Sequence, residues 1–415
     1  MTKDLRNKPE FNPLMRASLD ACVKCTICET QCPVAAVTPL FPGPKYVGPQ
    51  AERFRKGMSV DHTIDYCSSC GTCTLVCPQG VKVAELNNVA RAAMKQQNGR
   101  PLRDVLISNT MFMGKAMTPV APLANWALRQ KPIRQIVEKT FGIHHEAPMP
   151  VADGFSFEKW FKKHTRTAPA PTKGKVVFFH GCAGEFFETT TSIRSVQILE
   201  HLGYEVLVPP HGCCGLAQQS NGLYDGAKKL IRKLAHDLSV PGDDLTIIGS
   251  SGSCVGMVKH EAREILGVQD EELTQVSRRI WDISEFLLDL YDRGELDLDN
   301  LEPMDLTVTY HAPCQLKSTG IGTPGKQLLD KIPGITVHES GATCCGIAGT
   351  YGLKREKYDI AQAVGKTAFD KIKSTNSDLV VSDTETCRWQ LEKGGGKPAV
   401  HPIYLLFEAM GLTDS

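Results

Sequence analysis

Two cysteine runs near the start of the chain leave it little freedom. The first reads Cys22-x2-Cys25-x2-Cys28-x3-Cys32-Pro33, and the second reads Cys67-x2-Cys70-x2-Cys73-x3-Cys77-Pro78. Thiols two residues apart let one short loop curl round a cubane, with backbone N–H groups free to point at its sulfides. The fourth cysteine lies just past the loop and, in two-cluster proteins, ligates the other cluster. This spacing assigns Cys22, Cys25, Cys28 and Cys77 to one [4Fe–4S] cluster. Cys67, Cys70, Cys73 and Cys32 take the second. The proline after each run fixes φ and starts the next segment. Zinc needs only four ligands and commonly takes two CxxC pairs, so a doubled run exceeds what it requires. The two runs are far apart in sequence, and VKVAELNNVARAAMKQQ (81–97) repeats apolar residues at helical spacing through Val83, Leu86, Val89 and Ala90. An α-helical ferredoxin domain over residues 1–99 is therefore expected, with residues 1–20 as a polar, flexible arm.

A chain of 415 residues has room for two or three domains. Its formal net charge of +1 argues against a general nucleic-acid binder. Sixteen cysteines in a chain whose opening MTKDLRNKPEFNPLMRAS lacks the apolar core of a signal peptide fit a reducing compartment, not a disulfide scaffold. No run of about 18 apolar residues is present to span a bilayer.

Residues 100–170 differ in character. Prolines 119, 122 and 132 are expected to divide them into short helices. Residues 100–166 carry 11 Lys/Arg against 5 Asp/Glu. Trp126, Leu128, Ile133, Ile136 and Phe141 lie among Arg129, Lys131, Arg134 and Lys139. That pattern describes a helical segment resting on an anionic membrane surface, and it equally describes a linker whose apolar residues pack on its neighbours.

The remainder is an internal repeat, over 171–303 and 304–415. KVVFFHGC (175–182) matches LTVTYHAPC (306–314), both β-rich runs ending at a cysteine. Second strands at 204–210 and 335–340 run into Cys213-Cys214-Gly215 and Cys344-Cys345-Gly346. Third strands at 244–254 and 377–387 end at Cys254 and Cys387. The intervals agree: 30 residues separate Cys182 from Cys213, and 29 separate Cys314 from Cys344. Strand–helix alternation implies parallel βαβ units. Every cysteine then falls at the carboxyl edge of its sheet, where open α/β sheets gather ligands. Cys182, Cys213, Cys214 and Cys254 would converge in the first repeat, and Cys314, Cys344, Cys345 and Cys387 in the second. Four thiols so placed suit an iron–sulfur centre, zinc or a redox-active thiol pair.

The two repeats resemble the cysteine-rich (CCG) domains of heterodisulfide reductase subunits. A ferredoxin pair followed by two CCG domains is the layout of the iron–sulfur subunits of glycolate oxidase and of anaerobic glycerol-3-phosphate dehydrogenase. Similarity to the family formed by the C subunit of the latter extends over nearly the whole chain. It rests on CVKCTICETQCPV, FPGPKYVGPQAERFR, VLISNTMFMGKAMTPVAP and CCGIAGTYGLKREKYDIAQAVG. The resemblance implies an electron-transfer subunit that carries electrons from flavin-containing dehydrogenase subunits to membrane quinone and helps dock the complex on the cytoplasmic face of the inner membrane. It also implies one further iron–sulfur cluster in one or both CCG repeats. The full CCG pattern ends in Cys-x-x-Cys, but Ser251 and Thr384 stand at its first position here. Each repeat thus offers at most four thiolates, with His180, His211 and His311 nearby for hydrogen bonding or packing.

No nucleotide motif accompanies these features: GSSGS (249–253) follows a strand but lacks the GxGxxG order. No Ser–His–Asp set stands out, and no catalytic residue is expected. The rival readings are a glycolate oxidase-like subunit and a thiol/disulfide catalyst of the heterodisulfide reductase kind.

Overall fold

Val176, Val177, Phe178 and Phe179 are all buried, so the first strand of the repeat is apolar on both faces, as a central parallel strand must be. In the computed structural model, which describes residues 13–51 and 62–413, this strand is β1 (Lys175–Phe179). It lies between β2 (Glu205–Leu207) and β3 (Thr246–Gly249), and β4 (Ile280–Asp282) completes a parallel sheet of order β2-β1-β3-β4. The second repeat copies the arrangement with β5 (Leu306–Tyr310), β6 (Ile335–Glu339), β7 (Leu379–Val381) and β8 (Ala399–Val400), in the order β6-β5-β7-β8. Three strands per repeat were readable in the sequence. The fourth in each was missed because three and two residues are too short to show a period.

Side chains alternate across a strand, so β1 feeds two cores. Val177 and Phe179 join a core that also holds Cys213, Cys214, Cys254, Leu86 and Val89, tying the first repeat to the ferredoxin domain. Val176 and Phe178 face the other way, into a core shared with Val308, Tyr310, Val381 and Ile403 of the second repeat. The two sheets thus share one apolar interior.

The helix expected near 81–97 is α1 (Val83–Asn98), and Val83, Leu86, Val89 and Ala90 are all buried. Ahead of it the chain is not a loose polar arm throughout. Residues 1–12 lie outside the described residues, but Pro13–Ala17 and Ser18–Ala21 are short helices that bury Met15 and Leu19. The stretch AERFRKGMSVDHTIDY (51–66) reads as helical, but residues 52–61 lie outside the described residues, which resume with a 3-10 turn, His62–Tyr66.

Four helices follow: α2 (Leu102–Ser108), α3 (Thr110–Met117), α4 (Ala121–Arg129) and α5 (Lys131–Phe141). Pro122 and Pro132 sit in the first turns of α4 and α5, where a missing N–H costs nothing, so they start these helices. Arg134 is not on a membrane-facing surface: it is buried and donates to the carbonyls of His144 and Ala147 at 2.9 and 2.7 Å. Leu123, Trp126, Ile136 and Phe141 are exposed.

Candidate iron–sulfur site

The ferredoxin loops are wound in a way few sequences tolerate. Lys24 and Thr26 have φ of 60° and 68°; at the matching places of the second loop, Ser69 and Gly71 have 59° and 77°. A left-handed residue with a Cβ costs about 1–2 kcal/mol, so three such non-glycine positions mark a loop held by what it surrounds. The curl gathers Cys22, Cys25, Cys28 and Cys77 around one pocket and Cys32, Cys67, Cys70 and Cys73 around another. These are the two sets assigned from the spacing. N–H groups reach sulfur as well: Ala35 N–H donates to Cys32 Sγ, and Ser69 N–H to Cys67 Sγ, each at 3.5 Å. Burial pushes the Cys28 thiol up to about 11, Cys32 to about 12 and Cys70 to about 11. Burial and the charge of neighbouring thiolates disfavour ionisation at these positions, a cost that a shared cation core would offset.

In the repeats each cysteine sits where its strand ends. Cys182 follows β1, the Cys213–Cys214 pair follows β2, and Cys254 lies in the helix Gly252–Gly256 after β3. Cys214 and Cys254 sulfurs are 3.3 Å apart, and Cys345 and Cys387 are 3.2 Å apart, non-bonded distances well beyond a disulfide. The glycine after each pair donates its N–H backwards: Gly215 to Cys213 Sγ at 3.4 Å and Gly346 to Cys344 Sγ at 3.3 Å. Cys213 also takes hydrogen bonds from Cys182 and Cys214, and Cys344 takes them from Cys314 and Cys345. These bonds hold both thiols well below the usual range while their donors are pushed up. In each quartet the same position is thus the one whose ionised form its neighbours favour, the form that binds metal.

The two quartets do not occupy separate recesses. All eight cysteines line one mostly apolar cavity of about 170 Å³, and Cys70 of the ferredoxin domain stands in its wall. Cys70 also lines the pocket of the second ferredoxin set. Its sulfur lies close enough to the second repeat that the charge of Cys344 raises its pKa and its own charge raises that of Cys314. Spacing within a repeat carries no information on how two repeats face each other, so this junction was not legible in the sequence.

The positions that lack the fifth cysteine are occupied otherwise. Ser251 Oγ donates to Glu385 Oε2 of the other repeat at 2.8 Å, which commits it away from a metal. Thr384 Oγ1 is buried with no hydrogen-bond partner. His311 differs from its counterpart His180. His311 Nδ1 is 2.9 Å from Ser340 Oγ, and its ring lies within 4.8 Å of the Cys345 and Cys387 sulfurs. Hydrogen bonds from Cys345 and then His311 lower the Cys387 thiol to about 6. His180 Nε2 instead lies 3.8 Å from carboxylates of both Glu158 and Glu185. The His211 ring lies tilted against that of His180, with centroids 3.9 Å apart. Nothing in the sequence pointed to Thr110 on α3, whose hydroxyl donates to Cys182 Sγ at 3.1 Å, or to Glu385, which lines the cavity.

The residues present suit iron–sulfur clusters: thiols gathered in fours, ten of the sixteen buried, loops wound to wrap a bulky centre, and N–H groups aimed at sulfur. The comparisons agree. Residues 18–81 match the 4Fe-4S dicluster domain, and 176–259 and 308–392 match the cysteine-rich domain. Fold and site thus define a two-cluster ferredoxin joined to tandem cysteine-rich domains. The chain is 35% identical to the C subunit of anaerobic glycerol-3-phosphate dehydrogenase from Escherichia coli K12, over 95% of this chain and 99% of that protein. It is 24% identical to the D subunit of the dihydromethanophenazine:CoB–CoM heterodisulfide reductase from Methanosarcina barkeri, covering 96% and 95%. It is 25% identical to a probable glycolate oxidase iron-sulfur subunit of Bacillus subtilis, covering 86% and 84%. The chain belongs to the family formed by the C subunit of anaerobic glycerol-3-phosphate dehydrogenase.

Proposed function

We propose that this chain is the electron-transfer subunit of a complex that oxidises glycerol 3-phosphate, taking electrons from flavin-containing dehydrogenase subunits and delivering them to membrane quinone. Bound clusters supply one-electron transfer, which lets a two-electron donor and acceptor be joined in single steps. Cys22, Cys25, Cys28 and Cys77 hold the first cluster; Cys67, Cys70, Cys73 and Cys32 hold the second. Cys314, Cys344, Cys345 and Cys387 hold a third, and Cys182, Cys213, Cys214 and Cys254 offer a further site of the same kind. The observation that carries this reading is Cys70, one thiol shared between the wall of the second ferredoxin pocket and the cavity of the repeats. It leaves no insulating layer of protein between the two halves. Cys345→Ser in the reduced holoprotein tests it. A water-soluble quinone should oxidise the two ferredoxin signals much more slowly than in wild type; an unchanged rate would reject the route.

Docking on the cytoplasmic face of the inner membrane is assigned to α4 and α5. Among the described residues no helix is long and apolar enough to cross a membrane. Leu123 and Trp126, three residues apart on one face of α4, are 64% and 55% exposed, and Ile136 on α5 is 62% exposed. Exposed Arg129, Lys131 and Lys139 flank them. Large apolar side chains beside lysine and arginine suit an anionic bilayer surface. Trp126→Ser with Ile136→Ser should abolish flotation with anionic vesicles; retained flotation would place the anchor elsewhere. A second reading, disulfide reduction inside the cavity, draws on the fact that both quartets face one space. Turnover of a disulfide with a chemical donor, in the absence of the dehydrogenase subunits, would favour it.

A further inference from the structure

Behind the second ferredoxin loop, four cations are buried together. Arg91 and Lys95 come from α1, and Lys354 and Lys357 come from the second repeat; all are less than one-tenth exposed. Two carboxylates answer them. Asp65 is 2.7 Å from Lys357 and 3.4 Å from Lys95, while Asp104 is 2.7 Å from Lys95 and 2.9 Å from Lys354. Arg103 and Glu356 adjoin Asp104 as a pair of opposite sign. Nearby Glu261 has its carboxyl pushed up by burial, toward the neutral form. With every lysine charged, the cations exceed the carboxylates by two; burial and mutual repulsion push Lys354 well down and Lys357 to about 8, so holding all four charged is costly without an anion. The space between these groups is about 10 Å³, hardly enough for one water, so no phosphate or carboxylate ligand fits.

The anion is supplied from the other side. Two of the four cations, Arg91 and Lys357, grip the backbone that carries Cys67, while Lys95 and Lys354 stand behind them on Asp65 and Asp104. Arg91 donates to the Cys67 carbonyl at 2.7 Å and to Ser69 Oγ at 2.6 Å; Lys357 donates to the Asp65 carbonyl. Tyr351, from the same stretch as Lys354, donates to the Tyr66 carbonyl at 3.0 Å. Four thiolates, four sulfides and a mixed-valence iron core sum to about −2 before reduction, and one more negative after it. That charge matches the surplus. Among the described residues the first ferredoxin pocket has no such set: Lys45 there is paired with Glu29 at 3.1 Å, and Lys24 is exposed.

We propose that Arg91, Lys95, Lys354 and Lys357 are the counter-charge of the second ferredoxin cluster, raising its reduction potential above the value burial alone would set. Two of the four belong to the second repeat, so docking of that repeat sets the potential of the cluster that faces it. The proposal rests on Cys32, Cys67, Cys70 and Cys73 holding that cluster.

The test is an EPR-monitored redox titration of the anaerobically purified full chain, carrying Lys357→Met or Lys95→Gln. In the latter, Asp65 keeps Lys357 and Asp104 keeps Lys354 and Arg103, so the fold retains its pairs. Each variant should make reduction of the second cluster at least tenfold less favourable, about 59 mV lower. The first cluster should not move, and Lys357→Arg should restore most of the loss. Should Lys357→Met fail to retain the cluster, Lys95→Gln decides alone. An unmoved second-cluster potential in Lys95→Gln, or an equal shift of both clusters, overturns the counter-charge role. A wild-type protein showing only one ferredoxin-type signal would instead overturn the ligand assignment beneath it.

Discussion

Gly215 and Gly346 occupy the same place in the two repeats, yet alanine should be tolerated very differently at each. Both are left-handed, with φ of +87° and +92°. Either substitution therefore incurs about 1–2 kcal/mol of backbone strain. A Cβ on Gly215 would stand 3.0 Å from the Ala227 carbonyl oxygen, which a shift of a few tenths of an ångström relieves. On Gly346 it would stand 2.0 Å from the Ala361 carbonyl oxygen, a backbone atom inside the helix Tyr358–Ser374. Relief there needs more than an ångström of movement by a packed helix, and overpacking of that kind adds about 1–3 kcal/mol. Gly215→Ala should then lose about 1–2 kcal/mol and Gly346→Ala about 2–5. The same movement pulls the Gly346 N–H away from Cys344 Sγ, so iron should be lost from the second repeat first. Anaerobic thermal unfolding with an iron count reads both effects. Equal losses, or a larger loss for Gly215→Ala, would refute the claim that the double-cysteine loop is pressed onto its helix.

Other outcomes follow from the buried charges and the cavity. Burial alone would raise the Asp104 carboxyl, but the ammonium groups of Lys354 and Lys95 outweigh it and hold the group at about 2, against an ordinary 3.8. Its pairing should contribute about 2 kcal/mol of stability that is fully present above about pH 4 and lost as pH falls through about 2. Asp104→Asn should flatten that acid limb and cost about 3–5 kcal/mol at neutral pH, because two buried lysines lose an anion; unfolding measured across pH checks both. His311→Leu should shift the potential of the second-repeat centre while leaving both ferredoxin signals in place, read by the same redox titration. Thr110→Val removes the hydroxyl donated to Cys182 and should cost about 1 kcal/mol, seen as a lower unfolding midpoint without loss of ferredoxin iron.

Much of the site could be read from local spacing, and what escaped was non-local. The ferredoxin runs and the double-cysteine loops fix which thiols lie near one another, because short loops and strand ends leave few alternatives. The periodicity of α1 gave its buried face directly. By contrast, Met15 and Leu19 looked like part of a polar arm, since two apolar residues set no period. Lys354 and Lys357 sit in LKREKYD, which reads as a solvated face; their burial depends on the ferredoxin domain covering them. Arg134 carried the same ambiguity and proved to hold two carbonyls. The shared cavity depends on how the two sheets turn toward each other, and that is set by the common core around Phe178, Tyr310 and Ile403.

The most direct measurement is the iron and acid-labile sulfide content of the anaerobically purified full chain. Four gathered sets of thiols predict more than eight irons per chain with matching sulfide, the excess falling when Cys345 and Cys387 are replaced by serine and vanishing when Cys214 and Cys254 are replaced as well. Eight or fewer, unchanged by those replacements, would mean that nothing redox-active lies beyond the ferredoxin domain.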